Sequence, residues 1–292
     1  MSHRAPLSCA SLPDHSPDDR PDRSPEQRLE VWLVDLSACG GALAALEAVV
    51  PRLSQAERGW STEGQNGIRR TTRIALRLLL ERLLPDGDKA LYRQMALIRE
   101  PAGRPSLPAP FAPRTFSLSH SGAHALIAIS TRGPLGIDFE APRTLKMPPH
   151  RRATLVAAAA TLNPLPLGGV ALGGPASSVA ATDRETLIAW TRLEAVGKAR
   201  GAGVAAVLAD HGVIAKCEPT TGIADPAPAD EGATEPLAVH DLALPGGLVG
   251  AIATPTGVPC PSVRALPNDP ARLAALTGTP YGSLDYRPLD PS

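Results

Sequence analysis

GIDFE, residues 136–140, places two acidic side chains in an otherwise apolar or glycine stretch. Residues two apart in a β-strand point to the same side, so Asp138 and Glu140 would share one face. The nearby run ALIAIS, 125–130, has the composition of a buried strand. Two adjacent carboxylates repel by roughly 1 kcal/mol in water and by about 4 kcal/mol at an effective dielectric of 20. GIDFE therefore predicts a core strand whose acidic face needs a counter-charge.

The segments around GIDFE mix strands and helices without regular alternation. Apolar runs predict strands at 29–38, 95–100, 124–130 and 135–140, and weaker runs predict two more at 212–218 and 248–254. Because a βαβα order is absent, the pattern favours an α+β fold over a doubly wound sheet.

Two segments have the 3.6-residue periodicity of amphipathic helices. The first covers 68–84, and Arg69, Arg73 and Arg77 lie four apart on its polar side. This basic stripe is either a solvated helix face or a phosphate-binding surface. The second helix begins near Thr182 or Asp183 and ends near Gly201.

The second helix carries a third candidate carboxylate. Trp190, Glu194 and Lys198 are spaced by four and share one face. Taken alone, Glu194 and Lys198 make an ordinary surface pair worth a few tenths of a kcal/mol. If Glu194 joined the two acids of GIDFE, a divalent cation would offset the repulsion. Hard oxygen ligands in small number favour Mg²⁺, which shares its coordination shell with substrate phosphates.

Basic and hydroxyl side chains could bind the rest of a phosphorylated ligand. The basic candidates are Arg73, Arg104, His120 and Lys198. The stretch SLSHSG, 117–122, adds three serines at alternate positions, and its alternative interpretation is a polar turn before a strand. A Ser-His-Asp hydrolase is disfavoured because no GxSxG elbow surrounds these serines.

Overall composition limits the classes of partner and compartment. The 292 residues carry 29 basic and 29 acidic side chains, and this zero net charge argues against a nucleic-acid coat or a polybasic membrane binder. No apolar run reaches the ~20 residues that span a bilayer. The N-terminus lacks the apolar region of a signal peptide. We therefore expect a cytoplasmic, soluble protein.

The four cysteines and the ends of the chain carry few signals. Cys9, Cys39, Cys217 and Cys260 form no CxxC pair, which favours reduced thiols over a zinc site. Residues 1–28 have the composition of a disordered tail, 257–292 that of a Pro-rich tail, and 163–178 that of a low-complexity loop.

Five short motifs, in this order, resemble the 4′-phosphopantetheinyl transferases of the surfactin-synthetase-activating type. They are TRIALRLLLERL, GRP, LSHS, GIDFE and WTRLEAVGK. No single motif is specific, but five of them in the same order and at sensible separations are a strong signal. The resemblance covers roughly 29–254 and is weak across 141–181. It implies two pseudo-symmetric α+β halves, 29–134 and 135–256, with coenzyme A in the cleft between them. The large size of the chain predicts a monomer, because one chain already supplies both halves of the cleft.

The resemblance also implies a role for each motif residue. The Mg²⁺ ligands would be Asp138, Glu140 and Glu194. The contacts to the coenzyme A phosphates would come from Arg73, Arg104, Ser119 and His120. Lys198 would hold the pyrophosphate, and Glu194 or a water it orients would take the proton of the acceptor serine.

The implied reaction transfers the phosphopantetheine arm of coenzyme A to a serine of an acyl or peptidyl carrier protein. Adenosine 3′,5′-bisphosphate is released. Two departures from the family pattern are Leu193, where a Lys is usual, and Gly197, where a bulky apolar residue is usual. An altered segment at 141–181 leaves the choice of carrier open. The alternatives are a coenzyme A- or carrier-binding protein of the same fold, weakly active or inactive, and an unrelated Mg²⁺-dependent phosphohydrolase.

Overall fold

The computed structural model describes residues 28–100, 104–109, 111, 114–162, 181–214 and 235–279. Within these ranges the chain is a mixed α+β protein with several small sheets, which confirms the predicted α+β class. None of the helices in the described parts is long and apolar enough to cross a membrane. The thiols of Cys39 and Cys260 are free, and the other two cysteines lie outside the described residues.

Three groups of strands make up the sheets. The first sheet has the order β4-β5-β1-β9 and consists of β1 (Leu29–Asp35), β4 (Thr115–Ser121), β5 (His124–Ser130) and β9 (Val263–Ala265). The second sheet has the order β6-β8-β7 and consists of β6 (Gly136–Glu140), β7 (Leu237–Asp241) and β8 (Val249–Pro255). A short hairpin pairs β2 (Ile98–Arg99) with β3 (Pro105–Ser106). Only β1 and β9 pair in parallel among these ladders of the described chain.

The helices divide between the two sheets. Those before the second sheet are α1 (Leu36–Val49), α2 (Gln55–Arg58), α3 (Gly64–Arg82) and α4 (Asp86–Gln94). Those after β6 are α5 (Pro149–Leu162), α6 (Asp183–Arg200), α7 (Gly203–Asp210) and α8 (Pro270–Ala275). The side chains of α1, α3 and α8 share one core with one face of the first sheet, whereas α5, α6 and α7 share another with the second sheet.

A third core cluster lies between the two sheets. Val31 and Leu33 of β1 pack there with Ile137 and Phe139 of β6. The alternate residues Trp32 and Val34 belong to the core beneath α1 and α3. Because successive strand side chains point to opposite faces, β1 is buried on both sides, which explains its nearly continuous apolar sequence. The resulting order is helices, first sheet, second sheet, helices.

The start and end of α6 follow from its sequence. Thr182 is the N-cap and forms a capping box with Glu185, which satisfies backbone N–H groups that the first turn leaves unpaired. Gly201 ends the helix in the left-handed conformation at φ 67°, which glycine adopts without a steric penalty. The predicted boundaries of this helix are confirmed.

Several expected elements differ from the structure. The strand expected at 29–38 ends at Asp35, whose carboxylate caps α1. The strand expected at 95–100 is reduced to Ile98–Arg99. At 212–218, residues 212–214 form a turn and the rest lie outside the described residues. The loop expected at 163–178 also lies outside them, as do residues 1–27 of the tail expected at 1–28.

The interpretation of 257–292 as a tail is wrong for its first part. β9 pairs with β1, and Leu266 and Leu273 are buried in the first core. Apolar residues at wide spacing among prolines gave no periodic signal, yet they complete the edge of the first sheet. The C-terminal part of the chain therefore returns to the half predicted for 29–134.

Candidate functional site

The seam between β4 and β6 is lined by serine hydroxyls. Three serines at alternate positions of β4 face β6: Ser117, Ser119 and Ser121. The first accepts a hydrogen bond from the Ile137 backbone N–H at 3.0 Å, the middle one donates to Asp138 at 2.7 Å, and the last donates to Glu140 at 3.1 Å. The period-2 geometry of a strand aligns all three. The two sheets are thus joined here through side chains.

Asp138 is the most buried acid of this seam. Its Oδ1 accepts from Ser119 Oγ and from Lys198 Nζ, both at 2.7 Å. Burial raises the pKa of Asp138 above its ordinary value, and the charge of Glu140 adds to this, while Lys198 and Ser119 oppose it. The burial of one charge is therefore only partly offset by its two partners.

Lys198 lies in the last turn of α6 and reaches across to both strands. Its ammonium donates to the backbone carbonyls of Leu118 at 3.2 Å and Ile137 at 3.0 Å, besides the Asp138 carboxylate. An ammonium has three N–H groups, so these acceptors use all of them. About 30% of the side chain is exposed. Lys198 thus links α6 to β4 and β6.

Glu194 lies one helical turn before Lys198. No described residue hydrogen-bonds to its carboxylate or pairs with it as an ion. Partial burial raises the pKa of Glu194, the charges of Asp138 and Glu140 raise it further, and Lys198 lowers it. The charges of Asp138 and Glu140 therefore act on Glu194, although burial has the larger effect on its pKa.

Glu140 completes the acidic group at the end of β6. One carboxylate oxygen accepts from Ser121, and the other pairs with Arg143 at 3.2 Å. Arg143 is half exposed, so this pair is screened and contributes little to stability.

The three carboxylates are chemically suited to bind Mg²⁺, but they are not arranged as a metal site. Three carboxylates are the hard oxygen ligands that Mg²⁺ prefers, and Glu194 has no partner among the described residues. As the side chains stand, however, no three His, Cys, Asp or Glu residues of the described ranges form a metal-holding group. Lys198 supplies the counter-charge of Asp138 instead.

Gly136 allows α6 to lie directly on β6. A Cβ at this position would lie 1.9 Å from the Ala195 carbonyl oxygen and 2.4 Å from the Ala199 backbone nitrogen. Only hydrogen fits at that distance, so the glycine of GIDFE is required by packing. The close approach also brings Glu194 and Lys198 next to the acids of β6.

Arg104 connects the elements around the seam. Its guanidinium donates to the carbonyls of Lys198 at 2.8 Å, Phe116 at 3.0 Å and Leu135 at 3.0 Å. Burial lowers the pKa of Arg104, although the charge of Glu100 opposes this.

Two residues expected at the site make no contact with these acids. His120 points to the other side of β4 from the serines and is exposed. Arg73 on α3 pairs with Glu57 at 3.1 Å and lies over the Trp60 ring, with its guanidinium carbon 5.7 Å from the ring centre. Its Nη1 is buried without a hydrogen-bond partner in the described chain.

Neither protein-family models nor curated proteins match this chain. The family resemblance therefore remains a prediction from five short motifs. Residues from four of them, GRP, LSHS, GIDFE and WTRLEAVGK, contact one another around the seam.

Some members of the site were not predicted from the sequence. Ser117 and Ser121 were noted only for their alternation, and their contacts to β6 were not expected. The alternation itself was the available signal, because it shows that three hydroxyls share a face. The backbone carbonyls that bind Lys198 and Arg104 had no signal, since every residue carries one.

Proposed function

We propose that this protein transfers the 4′-phosphopantetheine arm of coenzyme A to a serine hydroxyl of an apo acyl or peptidyl carrier protein. The observation that supports it is the contact network in which Ser119 and Lys198 both bind Asp138, with Glu194 close enough to Asp138 and Glu140 for their charges to raise its pKa. These residues come from three motifs, and the hydrogen bond between Lys198 and Asp138 joins positions 60 residues apart in the chain. Residues that act on the same ligand must lie close together in the fold, as these do.

The fold that we propose is the two-lobed transferase fold with coenzyme A between the lobes. Its support is the presence of two sheets, each with its own helical layer, that meet at a common core. The proposed halves 29–134 and 135–256 match the sheets except that β9 joins the first sheet.

Mg²⁺ is part of the proposal, with Asp138, Glu140 and Glu194 as its ligands. When bound, it would spread the charge of the pyrophosphate and stabilise the leaving phosphate. The raised pKa of Asp138 and of Glu194 fits a site that gains from a nearby cation.

The chain's own residues divide the remaining tasks. Lys198 neutralises negative charge that builds on the phosphate during transfer. Glu194, or a water that it orients, takes the serine proton. From the motif resemblance alone, we also propose that Arg73 and His120 bind phosphate groups of coenzyme A, although neither contacts the acidic group. The attacking hydroxyl belongs to the carrier protein, so no nucleophile of this chain takes part.

One observation favours a second candidate, a coenzyme A- or carrier-binding protein of the same fold. All three N–H groups of Lys198 already have acceptors within the protein. Lys198 must exchange at least one of them for phosphate before it assists transfer. A protein in which this exchange is unfavourable would bind coenzyme A but turn over slowly.

Intact-protein mass spectrometry tests the proposal. Apo acyl and peptidyl carrier proteins are incubated with this protein, coenzyme A and Mg²⁺. We expect a mass gain of one phosphopantetheine unit that EDTA abolishes and that Asp138→Ala reduces at least about 100-fold. Asp88→Ala, which removes an exposed acid of α4, is the matched control and should leave the gain unchanged.

Two other outcomes would reject the transferase. Coenzyme A binding in a calorimeter without any carrier modification would favour the binding protein. Release of inorganic phosphate from small phosphate esters without a carrier would instead favour the phosphohydrolase.

A further inference from the structure

The Arg104 side chain bonds to all three elements that carry the candidate site. Its acceptors are the Lys198 carbonyl near the end of α6, the Phe116 carbonyl in β4 and the Leu135 carbonyl directly before β6. These elements supply Lys198 and Glu194, the serines, and the two acids of GIDFE, respectively. Arg104 thus joins the three elements from outside them, whereas Lys198, itself on α6, bonds to β4 and β6.

The chemistry of these contacts suits a fixed brace. A guanidinium has five N–H groups in a rigid planar fork, and three of the hydrogen bonds go to backbone carbonyls between 2.8 and 3.0 Å away. The cation also lies near the C-terminal end of α6, where the helix dipole favours positive charge. Backbone acceptors fix the elements themselves, whereas side-chain acceptors would fix only rotamers.

We propose that Arg104 is a positioning residue, which aligns α6 with β4 and β6, and that it does not bind a coenzyme A phosphate as the motif order predicts. This inference rests on the proposed transferase function. Ser119 acts in the same direction, since its hydroxyl proton is directed to Asp138 and not to a ligand.

A brace and a phosphate contact have different kinetic effects. Loss of a phosphate contact weakens coenzyme A binding and raises KM, because that contact exists in the ground state. Loss of a brace displaces Lys198 and Glu194 relative to the reacting groups, and a displacement of about 1 Å is enough to lower kcat roughly 100-fold. The two roles therefore separate in kcat and KM.

The experiment compares Arg104→Met, Arg104→Lys and the control Arg272→Met, which removes an exposed arginine of α8. Each is assayed with coenzyme A and with 3′-dephospho-coenzyme A, and thermal melting identifies variants that fail to fold. We expect both Arg104 variants to lose about 10- to 100-fold in kcat. We expect KM for coenzyme A and the preference over the dephospho form to change less than about threefold.

Arg104→Lys gives the sharpest comparison. A lysine keeps the positive charge, so it would preserve a phosphate contact, but its compact ammonium cannot reproduce the planar fork that spans three carbonyls. We expect it to be nearly as impaired as Arg104→Met. Full rescue by lysine, or loss of the preference for the 3′-phosphate in either variant, would overturn the proposal.

Mn²⁺ binding to the full-length protein separates this inference from the proposed function. If the wild type modifies no carrier, the transferase proposal fails, and the brace is then tested by Mn²⁺ affinity measured by electron paramagnetic resonance. We expect Arg104→Met and Arg104→Lys to bind Mn²⁺ more weakly by about tenfold, because the ligands on β6 and α6 lose alignment. Unchanged affinity in both variants contradicts the brace. If the wild type binds no Mn²⁺, the metal site of the proposed function fails instead, and amide hydrogen exchange at the end of α6 tests the brace: exchange that is unchanged in both variants contradicts it.

Discussion

Replacing Gly136 with alanine should destabilise the protein and disturb the site together. The added Cβ would lie 1.9 Å from the Ala195 carbonyl oxygen, whereas real Cβ atoms do not approach other heavy atoms within 3.0 Å. The obstructing atoms belong to the backbone of α6, so no rotamer change relieves the overlap. The helix must move away from β6 by about 1 Å.

The loss in free energy of unfolding depends on how far the surrounding core can rearrange around the added methyl group. Overpacking a dense core costs about 1–3 kcal/mol and occasionally more. Because α6 is held between β6 and the apolar side chains of α5 and α7, we expect the upper end, about 3 kcal/mol. The same shift moves Glu194 and Lys198 away from Asp138, so Mn²⁺ affinity should fall as well.

Urea unfolding of Gly136→Ala and Gly40→Ala tests this reasoning. Gly40 lies inside α1, and a Cβ there meets no atom within 4 Å. The control should therefore gain up to about 1 kcal/mol, because alanine favours the helix. The same chemical change thus has opposite expected signs at the two positions. A Gly136→Ala protein as stable as the wild type, with an unchanged m-value, would refute the close packing of α6 on β6.

Three further predictions concern charged groups. Glu81 is fully buried beside two arginines. Glu81→Gln should lower the free energy of unfolding by about 3–5 kcal/mol, because a buried guanidinium loses its counter-charge. A shift of the urea midpoint equivalent to under about 1 kcal/mol would contradict this. Since the folded-state pKa of Glu194 is raised, its favourable contribution at acidic pH is lost as the pH rises through that raised pKa. Glu194→Gln should accordingly match the wild type in acid and exceed its stability at neutral pH; equal stability at both would count against the raised pKa. The Arg264 guanidinium carbon lies 5.7 Å from the Trp32 ring centre, so Arg264→Ala should lose about 0.5–1 kcal/mol with a change in tryptophan fluorescence, whereas the exposed Arg272→Ala should show neither.

Local sequence signals were sufficient for elements with clear ends or strong periodicity. The capping box at Thr182 and the glycine at 201 defined α6. The apolar stretch of β5 was recognisable because a strand buried on both faces carries little polar sequence. β6 was recognisable because its two acids alternate with apolar residues.

Elements without such signals were missed. The sequence of α1, LSACGGALAALEAV, contains two glycines and few polar residues, so no amphipathic stripe marks it as a helix. β9 and α8 follow several prolines and are short. Both form because the first sheet offers β9 a partner strand and α8 a buried surface, which the local sequence does not encode.

The sequence by itself determined which residues carry charge at the candidate site and which of them share a strand or helix face. Asp138 and Glu140 face one side because strand side chains alternate, and Glu194 and Lys198 align because a helix repeats every 3.6 residues. Only the tertiary structure decided that Lys198 pairs with Asp138 and that the serines of β4 bind β6. It also decided that Arg104 donates hydrogen bonds to three backbone carbonyls. These contacts depend on how closely α6 and the two sheets approach, which is a property of packing across residues distant in the chain.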